Sequence, residues 1–304
     1  MPGRIEALRT PDERFENLPG FPFSPHYVED LAGYEGLRVH HLDERPAKES
    51  GRTVLCLHGQ PTWCYLYRKM IPVFTAAGHR VVAPDLLGFG RSDKPVDDAV
   101  YTFTFHREML MRFVERLQLE RVTLVVQDWG GLLGLTLPME FPDRIDRLIV
   151  MNTGIGVGRS PGPGFDAWKA FVAAKPDFDI AAMMKRSVQG LTDAEAAAYD
   201  APYPDRRYRA GARRFPALVP VSPDMDGVDV SLQAAQFLRE RWSGPTFMAI
   251  GMQDPVLGPP VMHALAKTIR GCPAPLELAE AGHFVQEHGR VVAEKALEYF
   301  ATRK

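Results

Sequence analysis

Apolar residues in this chain gather into short, nearly unbroken runs. They are Thr53–His58 (TVLCLH), Arg80–Pro84 (RVVAP), Val122–Gln127 (VTLVVQ), Arg147–Asn152 (RLIVMN), Thr246–Gly251 (TFMAIG) and Leu276–Ala279 (LELA). A strand with one wet face alternates apolar and polar side chains, whereas a strand covered by helices on both faces does not. These runs therefore predict buried parallel strands. Between them, Phe105–Leu117 and Val291–Tyr299 predict helices. In the first, Phe105, Met109, Arg112, Phe113, Arg116 and Leu117 fall on one stripe, which the two arginines dilute. Tyr27–Leu31 and Leu37–Leu42 predict two antiparallel edge strands. Strands alternating with helices and joined by right-handed crossovers give an α/β fold: a mostly parallel eight-stranded sheet with helices on both faces.

The rhythm breaks between Gly154 and Pro223. Helix-like segments (Phe165–Ala174, Ile180–Arg186, Asp193–Ala198, Tyr208–Phe215) replace strands there, and the strand pattern resumes at Pro245. The simplest organisation is a main domain made of residues 1–154 and 224–304, with an inserted helical cap at 155–223.

Composition narrows the classes. Hydrophobic residues make up 45% and charged residues 24% of 304, which excludes a disordered chain. The formal charge of −2, from 36 basic and 38 acidic residues, argues against a nucleic-acid partner. No apolar run reaches the ~18–20 residues needed to cross a bilayer, so no membrane span is expected. The first twenty residues, MPGRIEALRTPDERFENLPG, are too polar for a signal peptide. Cys56, Cys64 and Cys272 are odd in number and not spaced for zinc. The expectation is a cytoplasmic protein with free thiols and no metal.

The most informative residues are Val126-Gln127-Asp128-Trp129-Gly130-Gly131, directly between a strand and a helical run. A sharp strand-to-helix turn with small residues after its centre is a nucleophile elbow. Its central residue here is Asp128 rather than Ser. A serine with a histidine base suits acyl carbonyls. A carboxylate needs no base for attack and can displace a leaving group from a saturated carbon, forming an ester. Hydrolysis of that ester then needs a base. The plainer reading of Asp128 alone is a helix N-cap.

The candidate base is His283 in Ala281-Gly282-His283-Phe284, after the last predicted strand. Asp254, in Gly251-Met252-Gln253-Asp254-Pro255, is placed to orient it; a turn Asp before Pro is the plain alternative. The rival position for the acid, after Arg147–Met151, holds Asn152, which carries no charge. The loop His58-Gly59-Gln60-Pro61-Thr62-Trp63 and the residue after the nucleophile supply the oxyanion-hole backbone donors, assigned to Gln60 and Trp129. Asp85-Leu86-Leu87-Gly88-Phe89-Gly90-Arg91-Ser92 reads as a structural loop, and His106, His263 and His288 are given no role.

With these residues in place, the chain resembles a haloalkane dehalogenase of the α/β-hydrolase superfamily. It is most similar to the branch whose prototype hydrolyses ethylene dichloride. HGQPTWCYLYRKM, DLLGFGRSDKP, VVQDWGG, LGLTLPM, FDAWKAF, FMAIGMQD and AGHFVQE carry the resemblance through nearly the whole chain. It implies an α/β-hydrolase fold and hydrolysis of short haloalkanes to alcohol, halide and a proton, without metal or organic cofactor. It also implies that the indoles of Trp129 and Trp168 hold the halide, and that Phe165, Phe171, Phe215 and Val219 line the substrate pocket. The expected partners are the halogenated alkane and the halide ion, with a monomeric chain. One departure is Gln60, where the prototype branch tends to carry Glu and a second branch an Asn that binds halide. The alternative activity is epoxide hydrolysis with the same Asp, His and Asp. That reaction needs cap phenols as acids, and the cap holds Tyr199, Tyr203 and Tyr208. A ligand-binding protein without catalysis is the non-enzymatic rival.

Overall fold

The computed structural model describes residues 5–303. In chain order its strands are β1 (Ala7–Leu8), β2 (His26–Val28), β3 (Val39–Glu44), β4 (Thr53–Leu57), β5 (Arg80–Pro84), β6 (Lys94–Pro95), β7 (Val122–Val126), β8 (Ile145–Met151), β9 (Thr246–Gly251) and β10 (Leu276–Leu278). Eight of them form one sheet in the order β10-β9-β8-β7-β4-β5-β3-β2. Strands β5, β4, β7, β8, β9 and β10 run parallel, while β3 and β2 are antiparallel at one edge. Every residue of β4, β7 and β9 is buried, so the unbroken apolar runs do report strands covered on both faces. Strands β1 and β6 make a separate two-stranded ribbon that the apolar pattern does not reveal, because it is only two residues long.

Strand β4 pairs with β5 on one side and with β7 on the other. The winding direction of the sheet therefore reverses at β4. The carboxyl ends of β4 and β7 border the crevice that such a reversal opens, and the loops carrying Gln60 and Asp128 leave from those two ends.

The helices are α1 (Ile71–Ala76), α2 (Phe103–Arg116), α3 (Trp129–Gly134), α4 (Pro163–Ala174), α5 (Ile180–Ser187), α6 (Asp193–Asp200), α7 (Ala210–Leu218), α8 (Val228–Glu240), α9 (Pro259–Thr268) and α10 (Gly289–Ala301). Helix α2 starts two residues earlier than its stripe suggests, because Thr102 Oγ1 caps it by accepting from Phe105 N. Its buried face is Phe103, His106, Met109, Leu110, Phe113 and Val114. Arg112 and Arg116 therefore do not dilute that face; they are exposed, and Arg116 pairs with Asp30.

Four helices, α4 to α7, fill the chain between β8 and α8. Asp179 caps α5, and Thr192 with Glu195 forms a reciprocal capping box on α6. The apolar core is continuous from the sheet into this insertion: Phe165, Val172, Ile180, Tyr199 and Phe215 belong to the same cluster as Val54, Leu124 and Ile149. No helix among the described residues is long and apolar enough to cross a membrane.

Candidate active site

The elbow is built by steric necessity. Asp128 has φ +51° and ψ −125°, a left-handed conformation strained for a residue with a side chain. It is held there by Asp128 N–H donating to Asn152 O (3.0 Å) and by Thr153 Oγ1 donating to Asp128 O (2.7 Å). A Cβ on Gly130 would stand 1.9 Å from Leu57 O, and one on Gly131 2.0 Å from Thr153 Oγ1. A Cβ on Gly59 would lie 2.2 Å from Asp128 Oδ1. The small residues of the motif are thus required where the turn presses against neighbouring strands. The side chain of Asp128 makes no capping bond to α3, so the N-cap reading does not describe it. It accepts from Gln60 N–H at 2.7 Å through Oδ1, while Oδ2 lies 3.6 Å from His283 Nε2.

His283 Nδ1 lies 2.8 Å from Asp254 Oδ2. Asp254 is buried, and burial pushes its carboxyl up; the neighbouring His283, the Asn152 amide and Val256 N–H outweigh this and hold it below the usual carboxylate range. Asn152 does more than leave the rival position uncharged. Its Nδ2 donates to Asp254 Oδ2 (2.8 Å) and to Gly251 O (3.1 Å), and its Oδ1 accepts from Gly251 N (2.8 Å). It fixes the turn that carries the acid. On His283, desolvation favours the neutral ring, but Asp254 and Asp128 together push its pKa up to about 10.

Gln127, the residue before Asp128, is fully buried and contacts His283, although the sequence reading gave it no role. Its Nε2 donates to His283 O (3.2 Å) and lies 2.9 Å from His283 Nε2. The carbonyl fixes the amide orientation, because a carbonyl only accepts. Gln127 therefore presents N–H to the imidazole and favours a lone pair on Nε2, against the pull of the two carboxylates. Adjacency to Asp128 was the only sequence signal available.

The four tryptophans divide by the fate of their indole N–H. Trp63 donates to Ala198 O and Trp242 to Thr246 Oγ1, each at 3.0 Å. Trp129 Nε1 has no protein acceptor among the described residues, and its residue lines the large cavity above Asp128. Trp168 lines the same cavity, and its Nε1 reaches Gln60 Oε1 at a long 3.3 Å. Gln60 Nε2 donates to Ala212 O at 2.7 Å. Both partners fix the amide: its NH2 is engaged on α7 and its oxygen faces Trp168.

The cavity has a volume of about 1140 Å³ and is bordered by Asp128, His283 and Gln60. Phe165 and Val219 line it. Phe171 and Phe215 are not among its lining residues, contrary to expectation. They stand behind the indoles instead: Phe171 stacks on Trp168 with centroids 5.6 Å apart, and Phe215 packs on Trp129 at 4.5 Å. An aromatic in a cap helix announces burial but not which neighbour it supports.

Other candidates lie elsewhere. Tyr199 OH bonds to Glu287, and Tyr203 OH donates to Pro61 O at 3.1 Å. Neither they nor Tyr208 lines the cavity. His58 accepts from Leu86 N through Nε2 (3.0 Å) and serves its loop. Asp85 binds His40 Nδ1 (2.7 Å), Cys64 N (2.7 Å) and Arg91 N (2.8 Å), and Ser92 Oγ donates to Asp85 O. His40, Cys64 and Asp85 come close enough to suggest a metal site. Yet Asp85 is saturated by these bonds, and burial pushes the Cys64 thiol well up, so the group holds the loop together.

A family model for the α/β-hydrolase fold matches residues 52–289. A haloalkane dehalogenase of Psychrobacter cryohalolentis is 44% identical over 97% of this chain and 98% of its own. Haloalkane dehalogenase 1 of Mycobacterium bovis is 46% identical over 97% and 99%. Among solved structures, the haloalkane dehalogenase DpaA of Paraglaciecola agarilytica, described as tetrameric, superposes with a TM-score of 0.94 at 52% identity, covering 97% of this chain and 98% of that one. DbeA of Bradyrhizobium elkani superposes at 0.74 with 25% identity, over 92% and 99%. An elbow bearing a carboxylate and this degree of likeness lead to the same place: the chain belongs to the haloalkane dehalogenases of the α/β-hydrolase fold.

Proposed function

We propose that the protein hydrolyses short haloalkanes to alcohol, halide and a proton through an ester on Asp128. The observation that carries this is the division of the Asp128 carboxylate: Oδ1 is bonded to Gln60 N–H, and Oδ2 faces His283 in the cavity. Oδ2 attacks the carbon bearing the halogen, and the C–X electron pair leaves with the halide. Trp129 and Trp168 donate to the departing ion as its charge develops. Water then attacks Asp128 Cγ and gives a proton to His283 Nε2. The oxyanion forms on Oδ1, within reach of Gln60 N–H and, in this reading, of Trp129 N–H. Cleavage of Cγ–Oδ2 releases the alcohol, whose oxygen takes the proton held on His283 Nε2; the water oxygen remains on Asp128, and the proton of its new hydroxyl passes to solvent.

The charge balance supports this order. His283 is held basic by two carboxylates; esterification removes one of them, so the ring releases its proton in the intermediate where a base is needed. The cap phenols required for epoxide opening are bonded elsewhere or away from the cavity. Residues 155–223 act in this reading as the cap that closes over the substrate. The three unpaired thiols fit a cytoplasmic setting. The chain is expected to act as a monomer; DpaA is described as a tetramer, and sedimentation at assay concentration decides between the two.

The test is His283→Gln with ethylene dibromide. Intact mass should show one bromoethyl adduct on the peptide containing Asp128. A single turnover of the unaltered protein in heavy-oxygen water should label Asp128, not the alcohol. Unimpeded turnover by His283→Gln, or label appearing first in the alcohol, would overturn the mechanism.

A further inference from the structure

A cluster of buried charge around Arg68 takes no part in the chemistry derived so far. Arg68 and Glu287 form an ion pair whose side chains are 2% and 3% exposed. The pair is a fork: Arg68 Nη1 donates to Glu287 Oε1 at 2.8 Å, and Nη2 donates to Oε2 at 2.9 Å. Nη2 also donates to Glu195 Oε1 at 2.9 Å, and Nη1 to Tyr199 OH at 3.2 Å, both on α6. Tyr199 OH in turn bonds to Glu287, and Lys69 Nζ donates to Glu287 Oε2 at 2.7 Å. The guanidinium lies over the Tyr65 ring, 4.2 Å from its centroid. Burial pushes the Glu287 carboxyl up; Arg68, Lys69 and Tyr199 outweigh it and hold the group below the usual carboxylate range.

Three segments meet on this one guanidinium. Arg68 directly follows the 3₁₀ turn Cys64–Tyr67, in the chain that leaves β4 through Gln60. Glu287 lies in the 3₁₀ turn Val285–His288, just after His283. Glu195 and Tyr199 bring in α6 of the insertion. The first two segments also meet beside the fork, where a Cβ on Gly289 would stand 2.5 Å from Met70 Cγ. A buried ion pair often adds little to stability once the desolvation of both ions is counted. What a bidentate fork adds is a fixed distance and orientation between the segments it joins. Here those segments carry the two groups that meet the Asp128 carboxylate: Gln60 N–H, 2.7 Å from Oδ1, and His283 Nε2, 3.6 Å from Oδ2.

We propose that Arg68 is a positioning residue for the second half of the reaction, holding the base loop against the oxyanion loop through Glu287. The inference rests on the dehalogenase reading. Displacement at carbon uses Asp128 and the halide donors and makes no demand on His283 as a base. Hydrolysis of the ester needs the base and the Gln60 N–H in place at the same moment. Loosening the fork therefore slows hydrolysis and spares alkylation.

The test follows single turnovers of ethylene dibromide, quenched and read by bromide and by intact mass. These give the formation and the decay of alkylated Asp128 separately. Arg68→Lys keeps the charge and gives up the fork. Its decay constant should fall by about 10–100-fold, the scale of a ~1 Å misplacement, with formation within about threefold and alkylated enzyme accumulating. Glu287→Gln opens the fork from the other side and should show the same split, so it decides alone if Arg68→Lys does not fold. Unchanged decay in a variant that alkylates, or formation and decay falling together, overturns the inference. A merely structural role would lower the competent fraction of enzyme and leave both constants alone. Loss of the fold in both variants also overturns it, since the pair would then carry stability rather than placement. Absence of bromide release by the unaltered protein instead sinks the dehalogenase reading beneath it.

Discussion

The floor and the roof of the cavity are held in different ways. On the floor, Asp128, Asp254 and Gln127 follow directly from the ends of strands and are fixed by bonds to backbone or to buried side chains. On the roof, Trp168 is half-buried, stacks on a half-buried Phe171 and reaches Gln60 through a single long bond. In the proposed reaction, the groups that need sub-ångström placement sit on the sheet, and the contacts that must suit a substrate sit on the helices. Removing parts of the two regions should therefore give unlike failures.

The largest effect is expected on the floor. Asp128→Ala should lower halide release by at least about 10⁴-fold, since in the proposed reaction that carboxylate forms the ester. Measured turnover above that level would remove the basis of the contrast. Asp254→Asn keeps the shape but loses the charge that orients His283. It should cost about 10²–10⁴-fold, with the alkylated enzyme accumulating because only the second step needs the base. Behind the roof, Phe215→Ala removes a fully buried ring packed on Trp129, Phe89 and His106. Chemical denaturation should show a loss of about 3–5 kcal/mol.

Smaller effects sharpen the picture. Trp168→Phe keeps an aromatic on Phe171 but deletes the indole donor. Bromide binding and the displacement step should each weaken by about 10–100-fold, read by fluorescence titration and pre-steady-state kinetics. If Gln60→Ala weakens bromide binding more than Trp168→Phe does, the second donor has been misplaced. The smallest shift concerns pH. In the ester intermediate only proton-free His283 is active, so hydrolysis slows as pH falls through the pKa of that ring. Gln127 N–H opposes the proton on Nε2, so Gln127→Leu should move this acid limb upward, by about one pH unit. A limb that stays in place assigns Gln127 to packing alone.

The same contrast explains what could be read from sequence. Thr53–Leu57, Arg80–Pro84 and Thr246–Gly251 stand out because a strand buried on both faces leaves no polar alternation. The elbow is legible because its glycines are demanded by local contacts of 1.9–2.2 Å that any Cβ would create. The resemblance placed Phe171 and Phe215 in the pocket, with simple cap core as the other reading; they back the indoles of Trp168 and Trp129 instead, because an apolar position in a helix says that a face is buried without saying against what. Gln127 and the holding role of Asn152 were invisible for a related reason: their importance lies in partners 156 and 102 residues away.

The shared apolar core has a consequence for how this enzyme comes apart and how it admits its guest. Phe165, Tyr199 and Phe215 are packed in one body with the strands, so lifting the roof would expose part of that interior to water, which opposes it. The shared core opposes a swinging door, and heating should dismantle both layers in a single calorimetric peak.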